Sequence, residues 1–339
     1  MSKIAVIIPC RNERDYISEC IHAIVDSDLE AKDTISIFIV DGMSNDGTRD
    51  IIKEITEKFS FVHVIDNTHQ LTPFAFNLGI KSHFEDVDFF QIVGSRHIIS
   101  KNYLRIALKT LRNDEKTWCV GGKLINSYTN FLSEVISKCM ASKFGMGIGN
   151  FRTLNDSGYT DTVTSPMYPK FVFERIGFFD EELVRNQDDD FNYRVAKAGG
   201  KIFFSSEISL KYYVRSNFQS LWKQFYQYGY WKVYVNKKHR TITTLRQVIP
   251  ALFVIFLITF PFTFISKPFF IMFVAILNLY LILALLASVR VSKHLKGALY
   301  CVFTFIILHV GYGLGYLNGI IDFALIGKKP SDKHKTLSR

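Results

Sequence analysis

Three consecutive aspartates, Asp188, Asp189 and Asp190, stand directly ahead of Phe191–Ala198, a run whose spacing predicts a helix ending at Gly199-Gly200. Acids in that place can cap the first-turn amides and complement the helix dipole. One of them can also serve as a general base. A single aspartate is enough for a cap, so a triplet leaves carboxylate over for chemistry. Other polar clusters sit where apolar runs stop: Pro9-Cys10-Arg11-Asn12-Glu13, Asp41-Gly42 and Gly94-Ser95-Arg96-His97. An arginine following a glycine turn suits an anion, because a guanidinium meets phosphate oxygens bidentately.

The elements that must carry these clusters alternate. Ile4–Pro9 is a continuous apolar run, the mark of a strand covered on both faces. Arg14–Val25 places Tyr16, Ile17, Cys20, Ile21 and Ile24 at helical spacing. Ile35–Asp41 reads as a second strand, Gly42–Thr48 as a turn and Thr48–Phe59 as a second helix. Phe61–Asp66 and Val87–Val93 are the third and fourth strands. This order predicts an α/β, doubly wound, mostly parallel, Rossmann-like sheet. Ligands of such sheets sit beyond the carboxyl ends of the strands, which lines the three polar clusters along one rim.

The back of the chain differs. The 339 residues carry a formal charge of +10, and between Ser209 and Ile321 there is no Asp or Glu while Lys and Arg continue. A basic surface of that extent points to an anionic partner. Val248–Ile265 and Pro268–Val289 are uncharged for 18 and 22 residues, and Ala298–Ile321 is a third apolar run. Runs of about 20 apolar residues span a bilayer, so the anionic partner is membrane lipid and not nucleic acid. The segment 211–246, with Phe218, Trp222, Tyr226, Lys223 and Lys238 among its aromatic and basic residues, reads as an interfacial amphipathic helix. Spans are expected at 248–265, 268–289 and 298–326, followed by a basic tail at 328–339. Arg290, Lys293 and Lys296, and the tail residues Lys328, Lys329, Lys333, Lys335 and Arg339, both favour the cytoplasmic side. A hairpin or re-entrant pair broken near Gly311–Gly315 would reconcile them. Met1-Ser2-Lys3 runs into a strand with no signal peptide in view, which keeps the front of the chain cytoplasmic. Five cysteines without a pairing pattern suit a reducing compartment.

"VIIPCRNERDYISECI" followed by "FIVDGMSNDGT" resembles the start of a family 2 glycosyltransferase with the GT-A fold. "TPFAFNLGI" resembles that family's asparagine–glycine helix, "NQDDDFNYRVAKAGGKIFF" its acceptor-side acidic motif, and "FYQYGYWK" the segment before the membrane helices of the succinoglycan-type members. The resemblance covers residues 4 to about 235 and sets a glycosyltransferase domain at 1–210. It implies an inverting enzyme that moves a sugar from a nucleoside-diphosphate donor, a UDP-sugar, to a polyprenyl-diphosphate-linked glycan in bacterial surface polysaccharide assembly at the inner membrane. It assigns the nucleobase to Asp41 and the nucleotide pocket to Pro9, Arg11 and Glu13. The base falls on Asp188, with Asp189 sharing the role and Gln187 standing where the family has Glu. Gln224, Gln227 and Trp231 fall on the acceptor side. The family's Asp-x-Asp, which holds Mg or Mn against the diphosphate, falls on Gly94 and Arg96. Neither binds a metal, and His97 is a weak substitute. Arg96, with Ser95, is therefore expected to face the diphosphate itself. The same departure leaves open a non-catalytic glycosyltransferase-like membrane subunit that binds nucleotide or partner proteins. A nucleotidyltransferase is a third reading, against which "PCRNERD" lacks a glycine-rich phosphate loop.

Overall fold

The computed structural model describes residues 1–128, 130–147, 154–214, 217–243 and 245–329. The tail positions Lys333, Lys335 and Arg339, and Ser216 in the basic aromatic segment, lie outside the described residues. The chain divides into two compact units, Met1–Asn126 with Gly149–Tyr213, and Ser127–Ile148 with Val214–Arg339. Sequence reasoning set the boundary at 210 and did not foresee that Ser127–Ile148 leaves the first unit for the second.

The first unit is built on one sheet. In chain order its elements are β1 (Lys3–Cys10), α1 (Ile17–Val25), β2 (Thr34–Asp41), α2 (Thr48–Lys58), β3 (Val62–Asp66), α3 (Thr72–Ser82), β4 (Phe89–Ile92), β5 (His97–Ile99), α4 (Tyr103–Asn113) and β6 (Thr117–Ser127). After α5 (Phe131–Met140) and α6 (Lys143–Met146), which belong to the second unit, come β7 (Gly158–Thr160), β8 (Thr164–Pro169), α7 (Lys170–Ile176), α8 (Gln187–Lys197) and β9 (Lys201–Tyr213). The strand order is β3-β2-β1-β4-β8-β6-β9-β5, with β7 on β9. β3, β2, β1 and β4 are parallel. Beyond β4 the pairing is antiparallel, starting with β8.

Period-two alternation explains the unbroken apolar runs. Ile4, Val6 and Ile8 of β1, with Ile37 and Ile39 of β2, enter a core layer with Ile21 of α1 and Leu104 of α4. Ala5, Ile7, Phe38 and Val40 enter the other, with Ala75 and Ile80 of α3 and Phe191 of α8. Close packing has a local requirement: a Cβ on Gly79 of α3 would lie 2.6 Å from Ile7 Cγ2. The start of the chain is tied down by Asp33, whose Oδ1 accepts hydrogen bonds from Ser2 N (2.8 Å) and Arg112 Nη2 (2.7 Å).

The second unit is helical. α9 (Phe218–His239), α10 (Ile249–Ile258), α11 (Lys267–Val291) and α12 (Leu295–Leu325) follow one another. α11 and α12 are long and apolar enough to cross a membrane. Ile271, Met272, Ile276, Leu279, Ile282 and Leu286 of α11 are exposed. The first expected span is not one helix. α10 ends before Pro261, and Phe260–Ile265 continues as a 3-10 turn, because proline removes an amide and clashes with the preceding turn. The third run has no hairpin. α12 is continuous, with π-helical stretches at Ile307–Gly311 and Ile320–Leu325.

The glycines of α12 act as a packing seam. Gly311, Gly315 and Gly319 face Trp222, Tyr226 and Tyr230 of α9, one helical turn apart on both helices. A Cβ on Gly315 would lie 2.0 Å from Tyr226 O, and one on Gly229 would lie 2.0 Å from Tyr312 O. Small residues at such a spacing let two backbones touch. Asn318 Nδ2 donates to Tyr226 Oη (2.8 Å), Tyr230 Oη to Asp322 Oδ2 (3.0 Å) and Lys237 Nζ to Phe323 O (2.6 Å). Among these contacts α9 buries Lys232, which is 1% exposed, while its Trp222, Lys223, Lys237 and Lys238 are exposed.

Two outcomes are expected. Gly315→Leu drives a side chain into the α9 backbone and costs at least about 3 kcal/mol, read as a lower midpoint of thermal unfolding in detergent. Burial opposes the charge on Asp33, but the bonds from Arg112 and Ser2 outweigh it and hold its carboxyl below the usual range. Its contribution is therefore whole above the unfolded value, about 4, and fades as pH falls through the lower folded value. Asp33→Asn should cost about 1.5–3 kcal/mol at pH 7, with the gap to wild type narrowing as the pH drops below about 4.

Candidate functional site

The loops after β1 and β2 are laced together. Gly42 N donates to Cys10 O at 2.7 Å. Asn12 N donates to Ser44 Oγ (2.8 Å), Asn45 N to Asn12 Oδ1 (2.9 Å), Glu13 N to Thr48 Oγ1 (2.9 Å) and Arg14 N to Asp46 Oδ2 (3.3 Å). Arg11 packs its stem on Gly42, where a Cβ would lie 3.2 Å from Arg11 Cβ. Pro9 is the last-but-one residue of β1, in register with Val40.

Asp41 ends β2 with its side chain 0% exposed. Oδ2 accepts from Ser44 N (3.0 Å) and Arg49 Nη1 (3.1 Å), and Oδ1 from Ser44 Oγ (2.5 Å). Arg49 Nη2 also donates to Asp66 Oδ1 at the end of β3 (2.8 Å). At this corner the Asp41 carboxylate is hidden, while Met43, Asn45, Arg49 and Asp66 are exposed.

The arginine after β4 meets an anion of its own chain. Arg96 Nε donates to Glu13 Oε2 at 2.6 Å, and its guanidinium lies 4.7 Å from the Tyr16 ring centroid. Burial opposes its charge, while Glu13 outweighs that cost and raises its pKa above the ordinary value. Among the described residues its two terminal nitrogens make no hydrogen bond. Ser95 is buried in the same turn, which closes with His97 N donating to Gly94 O (2.8 Å). His97 packs over Gly94: a Cβ there would lie 3.1 Å from the imidazole. His97 Nδ1 and Ser165 Oγ are hydrogen-bonded at 2.8 Å. Ser165 O accepts from Gln91 Nε2 (2.7 Å) and Tyr103 Oη (2.9 Å).

Backbone strain gathers on this rim. Among the described residues six non-glycine residues have positive φ: Asn12, Met43, Gln70, Ser165, Asn186 and Arg240. The first three follow β1, β2 and β3, Ser165 sits beside the end of β4, and Asn186 precedes α8. Such conformations cost about 1–3 kcal/mol each and persist where surrounding structure imposes them, commonly at functional sites.

The aspartate triplet forms the first turn of α8. Asp190 is buried and accepts from Arg194 Nε (3.0 Å), while Arg194 also donates to Ile176 O and Phe178 O. Asp189 Oδ2 accepts from Asn186 Nδ2 (3.0 Å). Asp188 is the exposed member. Asp190 therefore has a structural task, and the triplet separates by burial. Asn77 of α3 sets the approach to this turn. Its Nδ2 donates to Phe179 O (2.9 Å) and Glu181 Oε1 (2.8 Å), and its Oδ1 accepts from Phe179 N (3.0 Å). Thus the structure pairs Glu13 with Arg96, places Asp41 one strand away from that pair's loop, and puts Asp188 and Asp189 at a helix start in the same unit. Gln224, Gln227 and Trp231 are buried in α9 of the second unit.

Arg49, Met43, Tyr16, Asn77 and Ser165 escaped sequence reasoning as site residues. Arg49 had a signal, since it directly follows the Asp46–Thr48 turn. Ser165 had none. Among the described residues no three His, Cys, Asp or Glu side chains form a group that could hold a metal ion, and the positions expected to carry Asp-x-Asp are Gly94 and Arg96.

The sequence model "Glycosyl transferase family 2" matches residues 5–177. The chain is 31% identical over 235 residues to dolichyl N-acetyl-alpha-D-glucosaminyl phosphate 3-beta-D-2,3-diacetamido-2,3-dideoxy-beta-D-glucuronosyltransferase of Methanococcus voltae, covering 68% of this chain and 72% of that protein. It is 25% identical over 248 residues to succinoglycan biosynthesis protein ExoA of Rhizobium meliloti (strain 1021), covering 72% and 73%. Its fold is similar to that of the mannosyltransferase PcManGT from Pyrobaculum calidifontis, solved with GDP-Man and Mn2+, with a TM-score of 0.59 at 14% identity over 95% of this chain and 88% of that one. The fold is GT-A.

Removing the Asn77 amide strands Phe179 N and frees the segment leading to α8. Asn77→Ala is expected to lower stability by about 2–3 kcal/mol and to make the Phe179–Gln187 segment more susceptible to limited proteolysis than the β1 and β2 loops.

Proposed function

The chain belongs to glycosyl transferase family 2, and from that premise we propose that it is an inverting transferase of a UDP-sugar to a lipid-linked glycan acceptor that does its leaving-group chemistry without an Asp-x-Asp metal. Glycosyltransferase activity in glycan biosynthesis follows from the family and its relatives. The donor, the acceptor, the stereochemistry and the residue roles are our reading.

One observation carries it: the group at the end of β4 is a guanidinium oriented by Glu13 through Nε, with its two terminal nitrogens left for a ligand. When the bond to the diphosphate breaks, negative charge grows on the leaving oxygens. Fixed donors aimed at such charge lower the barrier with no reorganisation at that moment. Arg96 supplies them, and Arg11 and Arg14 on the adjoining β1 loop add positive potential. Glu13 offsets part of the charge of Arg96, so the gain comes from directed hydrogen bonds more than from net charge. Pro9, Arg11 and Glu13 line the nucleotide, and the Asp41 corner receives the base.

Asp188 then takes the proton from the acceptor hydroxyl as that oxygen attacks the anomeric carbon opposite the diphosphate, which inverts the centre. Asp189, held by Asn186, stands beside it in the same first turn of α8. The exposure of Asp188 beside a buried, arginine-paired Asp190 favours this assignment. The Methanococcus relative's name specifies a dolichyl-linked sugar phosphate as acceptor, and α11 and α12 supply a membrane anchor that would bring such an acceptor near. On this reading the protein is a multi-pass membrane protein with its transferase unit in the cytoplasm, and Gln224, Gln227 and Trp231 serve the acceptor side.

The test is turnover of UDP-sugars by the full-length protein in lipid, with polyprenyl-diphosphate-linked acceptors, with and without EDTA. Activity should survive EDTA and fall about 100-fold in Arg96→Ala and about 100- to 10,000-fold in Asp188→Asn. Activity abolished by EDTA but unchanged in Arg96→Ala would overturn the arginine's role. Nucleotide binding without turnover on any donor would favour a non-catalytic subunit.

A further inference from the structure

We infer that Ser165 is a positioning residue for the transfer: its hydroxyl fixes the His97 imidazole and, through it, the Gly94–His97 turn that presents Arg96. This rests on the proposed role of Arg96 at the donor's diphosphate. It adds the part of the fold that holds the arginine's backbone, as Glu13 holds its side chain.

Ser165 is the second residue of β8 and is buried. Its φ is 45°, a left-handed backbone. Pro166 follows it, and a residue ahead of proline is pushed toward extended backbone. The conformation is therefore disfavoured twice, by the Cβ and by the proline. Buried donors impose it. The Ser165 carbonyl accepts from Gln91 Nε2 (2.7 Å) and Tyr103 Oη (2.9 Å), and neither donor residue is exposed. Tyr103 Oη is itself fixed by accepting from Gly122 N at 2.9 Å. These bonds use only the backbone of residue 165, and glycine would make them without the strain. What serine adds is a hydroxyl, and its partner is His97 Nδ1 at 2.8 Å.

The imidazole in turn lies against the Gly94 backbone, since a Cβ there would be 3.1 Å from His97 Cε1 and Nδ1. His97 N donates to Gly94 O (2.8 Å), and Cys20 Sγ of α1 donates to the same oxygen (3.6 Å). The ring also meets Tyr212 of β9 edge to face, with centroids 5.3 Å apart. β4 runs between β1 and β8. The turn beyond it is therefore gripped from both neighbours. Glu13, after β1, holds the Arg96 side chain, and Ser165, in β8, holds the residue that follows Arg96. Glu13 fixes Nε alone, while the turn sets the backbone from which the guanidinium projects. A long side chain magnifies any error at its Cα, and fixed donors help only where they already point at the growing charge.

The experiment measures binding of UDP, GDP and pyrophosphate to the full-length protein in detergent with EDTA, by calorimetry, together with the thermal midpoint. The proteins are wild type, Ser165→Ala, Ser165→Gly, Arg96→Ala and the double variant Ser165→Gly with Arg96→Ala. Both Ser165 variants lose the hydroxyl, and only glycine relieves the backbone. For each ligand that the wild type binds, Kd should rise about fivefold in both, although Ser165→Gly should melt above Ser165→Ala. Loss of affinity that runs against the order of stability cannot come from unfolding. Arg96→Ala should weaken binding further, and adding Ser165→Gly to it should change nothing more. Wild-type Kd in Ser165→Gly would overturn the inference. So would an equal fivefold loss on the Arg96→Ala background, since Ser165 would then act on something other than Arg96. Wild-type Kd in Arg96→Ala, or failure of the wild type to bind any of the three ligands, would overturn the diphosphate reading of Arg96, and this inference with it.

Discussion

The covering of β1 on both faces is the constraint from which the rest of the first unit follows. With alternate side chains of Ile4–Ile8 committed to two core layers, neither face of that stretch can carry a polar group. Chemistry is displaced to the carboxyl ends, where the chain turns and its amides need partners. The side chains of Ser44, Asp46, Thr48 and Asn12 meet that need, and in doing so they make the rim rigid. A rigid rim is able to hold Asn12, Met43 and Gln70 in backbone conformations that an unconstrained loop would relax.

Charge on this rim is arranged as donors held in place by carboxylates. Glu13 aims Arg96, Asp41 and Asp66 aim Arg49, and Asp190 aims Arg194. Each pair trades Coulombic strength toward a ligand for direction. That exchange explains why single charges read from the chain were informative about position but less so about partner. Arg96 was expected to meet a phosphate, and the first oxygen it meets is that of Glu13.

Much of the front sheet was legible because each strand is a short apolar run stopped by proline, glycine or aspartate. The expected strands end within one residue of those observed at Pro9, Asp41, Asp66 and Val93, and the helix ending at Val25 is as expected. Interactions across long stretches of chain were not legible. The hold of Asn77 on Phe179 and Glu181, and that of Ser165 on His97, join residues 102 and 68 positions apart. No local pattern marks them. The glycines of α12 were misread for a different reason. Gly311-x-Gly313-x-Gly315 has the composition of a break, and only the presence of α9 turns it into a contact surface. Pro261 was the reverse case, a breaker inside a run whose hydropathy alone suggested a span.

The seam between α9 and α12 bears on how the chain is made. α9 buries Gln227 and Lys232, and its tyrosines Tyr226 and Tyr230 take their hydrogen-bond partners from α12. Its partner surface, Gly311–Gly319, is translated some 90 residues later, as the separation of Tyr226 and Asn318 shows. Until then α9 has no place to dock, although β9 before it can already have joined its sheet. Closing so long a loop is slow compared with local helix formation. The nascent protein therefore passes through an interval in which the sheet of the first unit can assemble while α9 still lacks its partner, and the synthesis of α12 ends that wait.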